Sequence, residues 1–262
     1  MLFKTKYIEL FFILLSMFFS NQMFAEETTT HEEKLREILS PLGNNIVGKS
    51  LPAIVIKDPF RYVSGKPGKY TYQMILTDDE DTVTKFEIRR EMDSKIGEER
   101  KWSLEIDDDF IEEWQADSKG NIHLTAQTDV DSGYRVEFTP HLLLPAGARQ
   151  GQHWRSESSL NVYETSDPDT IVYEGELVST KAYEGRFEVT TPVGKFDAIL
   201  ISDDYEINIG VVNIKDRRYT FYAPNIGKVA EIDGFHVSAF LFFHKRKNEV
   251  KILMNLPRLT DE

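Results

Sequence analysis

The chain has 262 residues, of which 40% are hydrophobic and 29% charged; this is the composition of a folded globular protein and excludes disordered and collagen-like architectures. With 31 Lys and Arg against 44 Asp and Glu, the net charge of −13 repels phosphate backbones and anionic lipid, so no nucleic-acid partner is expected. Cysteine is absent, which removes disulfides, thiolate nucleophiles, iron–sulfur clusters, Cys-type zinc sites and the lipidated cysteine of a bacterial lipoprotein.

In chain order, Lys4 and Lys6 precede an apolar run, Leu10 to Phe19, interrupted by Ser16 alone. A bilayer core of about 30 Å needs roughly twenty apolar residues, and this run is shorter. It is followed by Asn21-Gln22-Met23-Phe24-Ala25 and then by acid, and reads as a secretory signal peptide, residues 1–25, cleaved after Ala25. Glu9 at the edge of the run and Met23 near the cleavage point depart from the pattern, and an uncleaved amphipathic anchor is the alternative. No later stretch is long enough to span: Phe240-Leu241-Phe242-Phe243 is closed by His244-Lys245-Arg246-Lys247. The mature product is expected to be periplasmic or secreted, in a Gram-negative envelope, without a stable transmembrane anchor.

Residues 26–68 read as a leader in which His31 to Leu39 forms a short helix, with Leu35, Ile38 and Leu39 on one face and Pro41 and Gly43 ending it. From residue 69 to 262 the dominant period is two, as in Tyr70 to Leu76 and Lys85 to Arg89, with no helical pattern between strands. Turn signals recur at Asp78 to Asp81, Lys119-Gly120-Asn121, Asp131-Ser132-Gly133, Ser166 to Asp169, Glu184-Gly185 and Ile232-Asp233-Gly234, a spacing suited to an antiparallel meander. The phrases Tyr173-Glu174-Gly175 and Tyr183-Glu184-Gly185 read as one strand plus its turn. Charged strands such as Thr84 to Glu91 imply one wet face. The expected fold is mainly β, a curved antiparallel sheet, half-barrel or open barrel, with a short N-terminal helix.

Several motifs resemble chemistry and fail on context. Gly43-Asn44-Asn45-Ile46-Val47-Gly48-Lys49-Ser50 matches the phosphate-loop pattern, but a helix precedes it and Pro52 with Ala53 to Ile56 follows it as extended chain, so no strand–loop–helix cradle forms. The six histidines include no pair at helical i, i+4 spacing; His141 and His153 could meet across a hairpin, and ordinary hydrogen-bonded imidazoles are the preferred account. The acid clusters Asp78 to Asp81, Asp107-Asp108-Asp109 and Asp129-Val130-Asp131-Ser132-Gly133 supply hard oxygen ligands of the kind calcium prefers; the last imitates half a calcium loop but lacks its third acidic position, and a solvated turn is expected there. No G-x-S-x-G elbow is present. Trp102, Trp114 and Trp154 are expected mostly in the core and rim of the sheet.

The second half carries Leu144-Pro145-Ala146-Gly147 to Trp154, then Thr191-Pro192-Val193-Gly194-Lys195-Phe196-Asp197-Ala198, then Tyr222-Ala223-Pro224-Asn225-Ile226-Gly227-Lys228-Val229. This order resembles a bacterial family of exported β-domains of unknown function, which pair a P-x-G-x-F-x-A hairpin with a later Y-A-P-x-x-G-x-V strand. Lys195 and Asn225 stand where relatives often have Thr and Gly. The resemblance implies an open curved sheet, distantly similar to the half-barrels of periplasmic lipoprotein carriers, and it implies no catalytic residues. Tyr222, Phe196 and Trp154 are expected in the core as packing residues.

The sequence therefore points to an exported, non-catalytic envelope module that holds an apolar or peptidic partner, a lipid, a peptide or an envelope protein, on its curved sheet. A carboxylate-dependent hydrolase of envelope polysaccharide and a structural partner in an envelope assembly are the alternatives. No catalytic, cofactor-binding or metal residue is assigned and no cofactor is expected.

Overall fold

The computed structural model describes residues 30–76, 82–96, 99–210, 212–239 and 243–257. The export leader and the acidic turn at Asp78 to Asp81 lie outside the described residues. The chain divides into two compact units, residues 1–38 and 39–262.

Helix α1 (His31–Leu39), all but its last residue in the first unit, begins with a capping box. The Glu33 amide donates to Thr30 Oγ1 at 3.2 Å, and the Thr30 amide donates back to Glu33 Oε2 at 2.7 Å. Arg36 and Glu32 pair one turn apart at 2.9 Å. Leu35 is buried, whereas Ile38 is exposed, which narrows the apolar face expected there.

The second unit opens with a 3₁₀ turn (Ser40–Leu42), strand β1 (Val47–Leu51), the short β2 (Val55–Ile56) and one helical turn, α2 (Phe60–Val63). Long strands follow: β3 (Gly68–Leu76), β4 (Thr82–Ile96), β5 (Glu99–Ile106), β6 (Phe110–Ala116), β7 (Ile122–Asp129) and β8 (Tyr134–Leu144). After the two-residue β9 (Ala148–Arg149) come β10 (His153–Glu164), β11 (Asp167–Thr191), β12 (Gly194–Ile209), β13 (Val212–Ala223), β14 (Gly227–Ala239) and β15 (Phe243–Asn255). Each long strand pairs antiparallel with the next, and β15 pairs back with β3, so that twelve strands form a ring. The expected mainly β, curved antiparallel sheet is present, and it goes beyond an open barrel by closing on itself. Closure removes the two long edges that an open sheet would have to protect. β1 pairs with β11 at Arg186–Val189, beyond the point where β10 stops pairing with it.

Period-two alternation sends one residue set inward and the other outward; at the plugged end the outward residues Phe187, Ala198, Leu200, Phe221 and Ala230 are themselves buried, and elsewhere they meet solvent. There the outer set is charged: Lys85, Glu87 and Arg89 on β4, Arg155 and Glu157 on β10, Asp204 and Glu206 on β12, Lys215 and Arg217 on β13. Many pair across strands, as Arg89 with Glu105 at 2.9 Å and Arg217 with Asp204 at 2.5 Å.

One end of the ring is plugged. Ile56 and Val63, with Ile54, Phe60 and Tyr62, pack among Trp102, Ile122, Leu144, Tyr183, Ile199, Ile201 and Tyr222, which project inward from several strands. β2 is held there by pairing with β9. Phe60 meets Trp102 edge to face, with ring centroids 5.3 Å apart.

Near the plug, β3 and β4 are fastened to the β13–β14 corner by Arg90, which is 4% exposed. Its guanidinium stacks on Tyr70 at 3.7 Å, donates to Tyr72 Oη at 3.0 Å and donates to the Ile226 carbonyl. Tyr72 in turn donates to the Lys228 carbonyl at 2.8 Å. The turn Ala223-Pro224-Asn225-Ile226-Gly227 supplies the Ile226 acceptor, and the start of β14 supplies Lys228. Asn225 sits at φ +64, a left-handed conformation that Asn tolerates and Gly adopts freely, which accounts for the interchange expected at that position.

Two expected turns are strand interiors. Glu184-Gly185 is a bulge within the 25-residue β11, so both Tyr-Glu-Gly phrases lie on one strand, and Ile232-Asp233-Gly234 is mid-β14. Glycine inside a strand marks a bulge or a close approach as readily as a turn. At Gly175 a Cβ would lie 2.3 Å from the Asn208 carbonyl oxygen.

A Cβ at Gly227 would meet the Arg90 guanidinium at 2.8–2.9 Å, at φ +85, whereas Gly147 has a similar φ of +82 and open space around it. Gly227→Ala is therefore expected to lower stability by about 1–3 kcal/mol beyond the loss in Gly147→Ala, read as a lower urea midpoint with an unchanged m value.

Candidate functional site

Between the plug and the far end, the inner wall carries a polar belt instead of a continuous apolar core. It is built from residues that are two apart along a strand and directly opposite across strands. Lys181, Asp203, Arg218, Asp233 and Glu249 are successive register partners from β11 to β15. One step along the strands toward the plug, Thr220, Glu231 and Lys251 form a second row.

His141 anchors one side of the belt. Its Nδ1 lies 2.9 Å from Ser158 Oγ and 3.2 Å from Ser156 Oγ, and its Nε2 lies 2.8 Å from Ser179 Oγ and 3.0 Å from Lys181 Nζ. Lys181 Nζ also donates to Ser179 Oγ and pairs with Asp203 Oδ2 at 3.2 Å. With the ammonium donating to Nε2, the imidazole is neutral and carries its proton on Nδ1. Burial, the Lys181 charge and His123 push its pKa down to about 3. Burial also drives Lys181 down and Asp203 up, against their mutual attraction. Three serines, a histidine and a lysine suggest nucleophilic chemistry, but the imidazole has no carboxylate behind it. Ser156, Ser158, Ser179 and Lys181 are all buried. The arrangement is a closed hydrogen-bond network.

On the other side, Arg218 bridges two carboxylates, Asp216 at 3.2 Å and Asp233 at 3.1 Å. Lys251 binds Asp233 at 3.3 Å, Glu231 at 3.0 Å and Glu249 at 3.2 Å, and Lys228 binds Glu231 at 2.5 Å. Thr220 donates to Glu231 at 2.9 Å. Burial opposes the charge on Glu231, but Lys228, Lys251 and Arg218 outweigh it and hold the carboxyl well below the usual range. Asp216 goes the other way: burial and a hydrogen bond shared with Asp233 push it up to about 7, despite Arg218. Of the two neighbouring carboxyls, Asp216 is the one that keeps a proton into the neutral range.

Beyond the belt the inner wall turns apolar again and stays partly open to solvent. Leu124, Phe138, Leu160, Val162 and Leu177 form a cluster, flanked by partly buried Tyr134, Val136, Tyr205, Ile207 and Ile209. Inward-phase Met74, Leu76, Ile106, Phe110 and Ile214 are likewise only partly buried. The rim above is acidic. Asp107 and Asp108 make the β5–β6 turn at φ +50 and +64, and the Asp129 carboxylate accepts from the Ser132 amide at 2.9 Å in the β7–β8 turn, which is the solvated turn expected there.

Of the residues named from sequence, Tyr222 is buried at the heart of the plug-end core and Trp154 packs against that core half-buried. Phe196 is a correction. It is half-buried opposite the fully buried Val189, on the face of β12 that carries the buried Ala198 and Leu200, because the Thr191–Gly194 turn fixes a register in which Ile199 and Ile201 point to the lumen instead. His141 and His153 do not meet: His153 is exposed at the start of β10. Lys49 lies exposed on β1, so Gly43–Ser50 leads into a strand and forms no phosphate cradle. Among the described residues no group of three or more His, Asp and Glu is arranged to hold a metal ion. No helix there is long and apolar enough to cross a membrane. The belt itself was not foreseen. The available signal was Lys215-Asp216-Arg217-Arg218, a strand charged on both faces.

No family model and no curated protein matches the chain. Two solved structures are similar to it. One is from Bacteroides fragilis, described as exported and as having a YmcC-like fold, with 14% identity over 75% of this chain and 99% of that chain and a TM-score of 0.47. The other is from Parabacteroides distasonis, described as a lipoprotein, with 12% identity over 74% of this chain and 96% of that one and a TM-score of 0.47.

Two outcomes follow from the belt. Lys181→Met strands a buried Asp203 and is expected to cost about 3–5 kcal/mol, most of it recovered in the Lys181→Met/Asp203→Leu double variant, measured by chemical denaturation. The raised pKa of Asp216 contributes stability that is full below the unfolded value of 3.8 and is lost as pH rises through about 7. Asp216→Asn is expected to flatten the fall in Tm between pH 4 and pH 7 and to leave the protein at least as stable as wild type at pH 8.

Proposed function

We propose that this chain is an exported, non-catalytic binding module that receives an amphiphilic guest through the unplugged end of its barrel. The observation that supports it most is the partial exposure of inward-facing Met74, Leu76, Ile106, Phe110, Ile207, Ile209 and Ile214, in a ring whose outer wall around them carries charged residues such as Asp204, Glu206 and Lys215. Apolar side chains turned away from bulk water yet not covered by one another are the lining of a ligand site. The charged belt below them offers both signs of charge to a polar end group, while an apolar chain or side chain fills the mouth. The leader at residues 1–25 supports an envelope location.

The carboxylate-hydrolase alternative rests on Asp216 and Asp233, of which one holds a proton into the neutral range. Both are at most 6% exposed and share Arg218. This favours a role in positioning charge over one in attacking a substrate.

Native mass spectrometry of the protein taken from its own periplasm is expected to show a co-purifying amphiphile. In fluorescence titration with a long-chain anilinonaphthalene probe, Ile207→Lys/Ile214→Lys is expected to weaken binding at least tenfold, with Lys215→Glu on the outer wall unchanged. A protein that arrives empty and binds the probe equally in all three forms refutes the reading.

A further inference from the structure

We propose that the projecting end of β11, Asp167–Glu174, is a docking strand onto which an extended, lysine- or arginine-bearing segment of a partner protein adds as a further strand. β11 pairs with β12 only from Gly175 onward, where Gly175 faces Ile209. Before that point it pairs with β10 alone, through Glu164 with Asp167, Tyr163 with Ile171 and Val162 with Tyr173. Its other edge has no strand partner among the described residues, and every residue from Glu164 to Glu174 is exposed. Eight residues of strand present about 26 Å of unpaired amide and carbonyl groups, a template for strand addition.

Ile171, Val172 and Tyr173, at 43%, 37% and 52% exposure, give that edge apolar side chains on both of its faces. These types favour strands and supply pockets to an added one. A lone exposed apolar residue would need no explanation, but three in succession on an open edge do.

Charge selects the occupant. From Ser156 to Thr180 the chain holds six acids, Glu157, Glu164, Asp167, Asp169, Glu174 and Glu176, and no Lys, Arg or His. The Thr165 amide donates to the Gly133 carbonyl at 2.8 Å, which joins this hairpin to the acidic β7–β8 turn with Asp129 and Asp131. A second copy adding through the same edge would set acid against acid, and Pro168 withholds one donor from it, so self-pairing is disfavoured. An added segment that alternates apolar residues with Lys or Arg satisfies the backbone, the apolar side chains and the field together.

The test uses the full mature chain and two synthetic nonapeptides, one alternating Lys with Val and Ile, the other with Glu in place of every Lys. The basic peptide is expected to bind at least tenfold more tightly by fluorescence anisotropy, and to protect amides within residues 167–174 from hydrogen exchange. The triple variant Asp167→Lys/Asp169→Lys/Glu174→Lys, all at exposed positions, is expected to keep its Tm and to invert the preference. Equal affinity for both peptides, protection located elsewhere, no binding at all, or concentration-dependent self-association through this edge would each overturn the proposal.

Discussion

The pairing of β3 with β15 joins residues 71–76 to residues 249–255, and the rest of the architecture depends on that contact. The other pairs of the ring are formed by neighbours along the chain, at little loop-closure cost. This one is made across nearly the whole unit, and it converts a ribbon with two exposed edges into a ring with an inside. Arg90, Tyr70, Tyr72 and the carbonyls of Ile226 and Lys228 tie β3, β4 and the β13–β14 turn together at the plugged end. Gly227 leaves the space that the Arg90 guanidinium occupies.

Once there is an inside, twelve strands enclose more width than side chains readily fill, since about eight suffice for a packed interior. The chain handles that width differently at each level. At one end it inserts its own segment, with Ile56, Phe60 and Val63 among inward-facing aromatics and aliphatics. In the middle it spans the space with long charged side chains that reach one another, and at the mouth it leaves apolar side chains partly open. Lys251 contacting three carboxylates and Arg218 contacting two are the means by which the middle is crosslinked. Buried charges tolerate this only because each has partners of opposite sign.

The strands and most turns were legible in the sequence because period two and turn residues are local signals. The helix at His31–Leu39, the Asp131-Ser132-Gly133 turn and the Pro224–Gly227 corner all formed where local chemistry places them. Closure was not legible, since nothing in β3 or β15 taken alone names the other as its neighbour. The face assignment was legible only where one side is plainly apolar: Tyr222 belongs to such a stretch, whereas Phe196 sits beside a turn that decides its direction. The polar belt was hidden for a related reason. Asp203 and Asp204, or Arg217 and Arg218, look alike in sequence, yet one of each pair faces the lumen and the other faces water, and a single-residue offset in register would exchange them.

β14 presents Glu231 and Asp233 inward, and much of the positive charge that answers them arrives with Lys251 on β15. A barrel lacking that last wall would hold two anions in a half-formed interior with a single arginine and Lys228 to share between them. Partial assemblies are thereby penalised by electrostatics as well as by exposed edges, and the ionic belt acts as a proofreading device that rewards only the completed circuit.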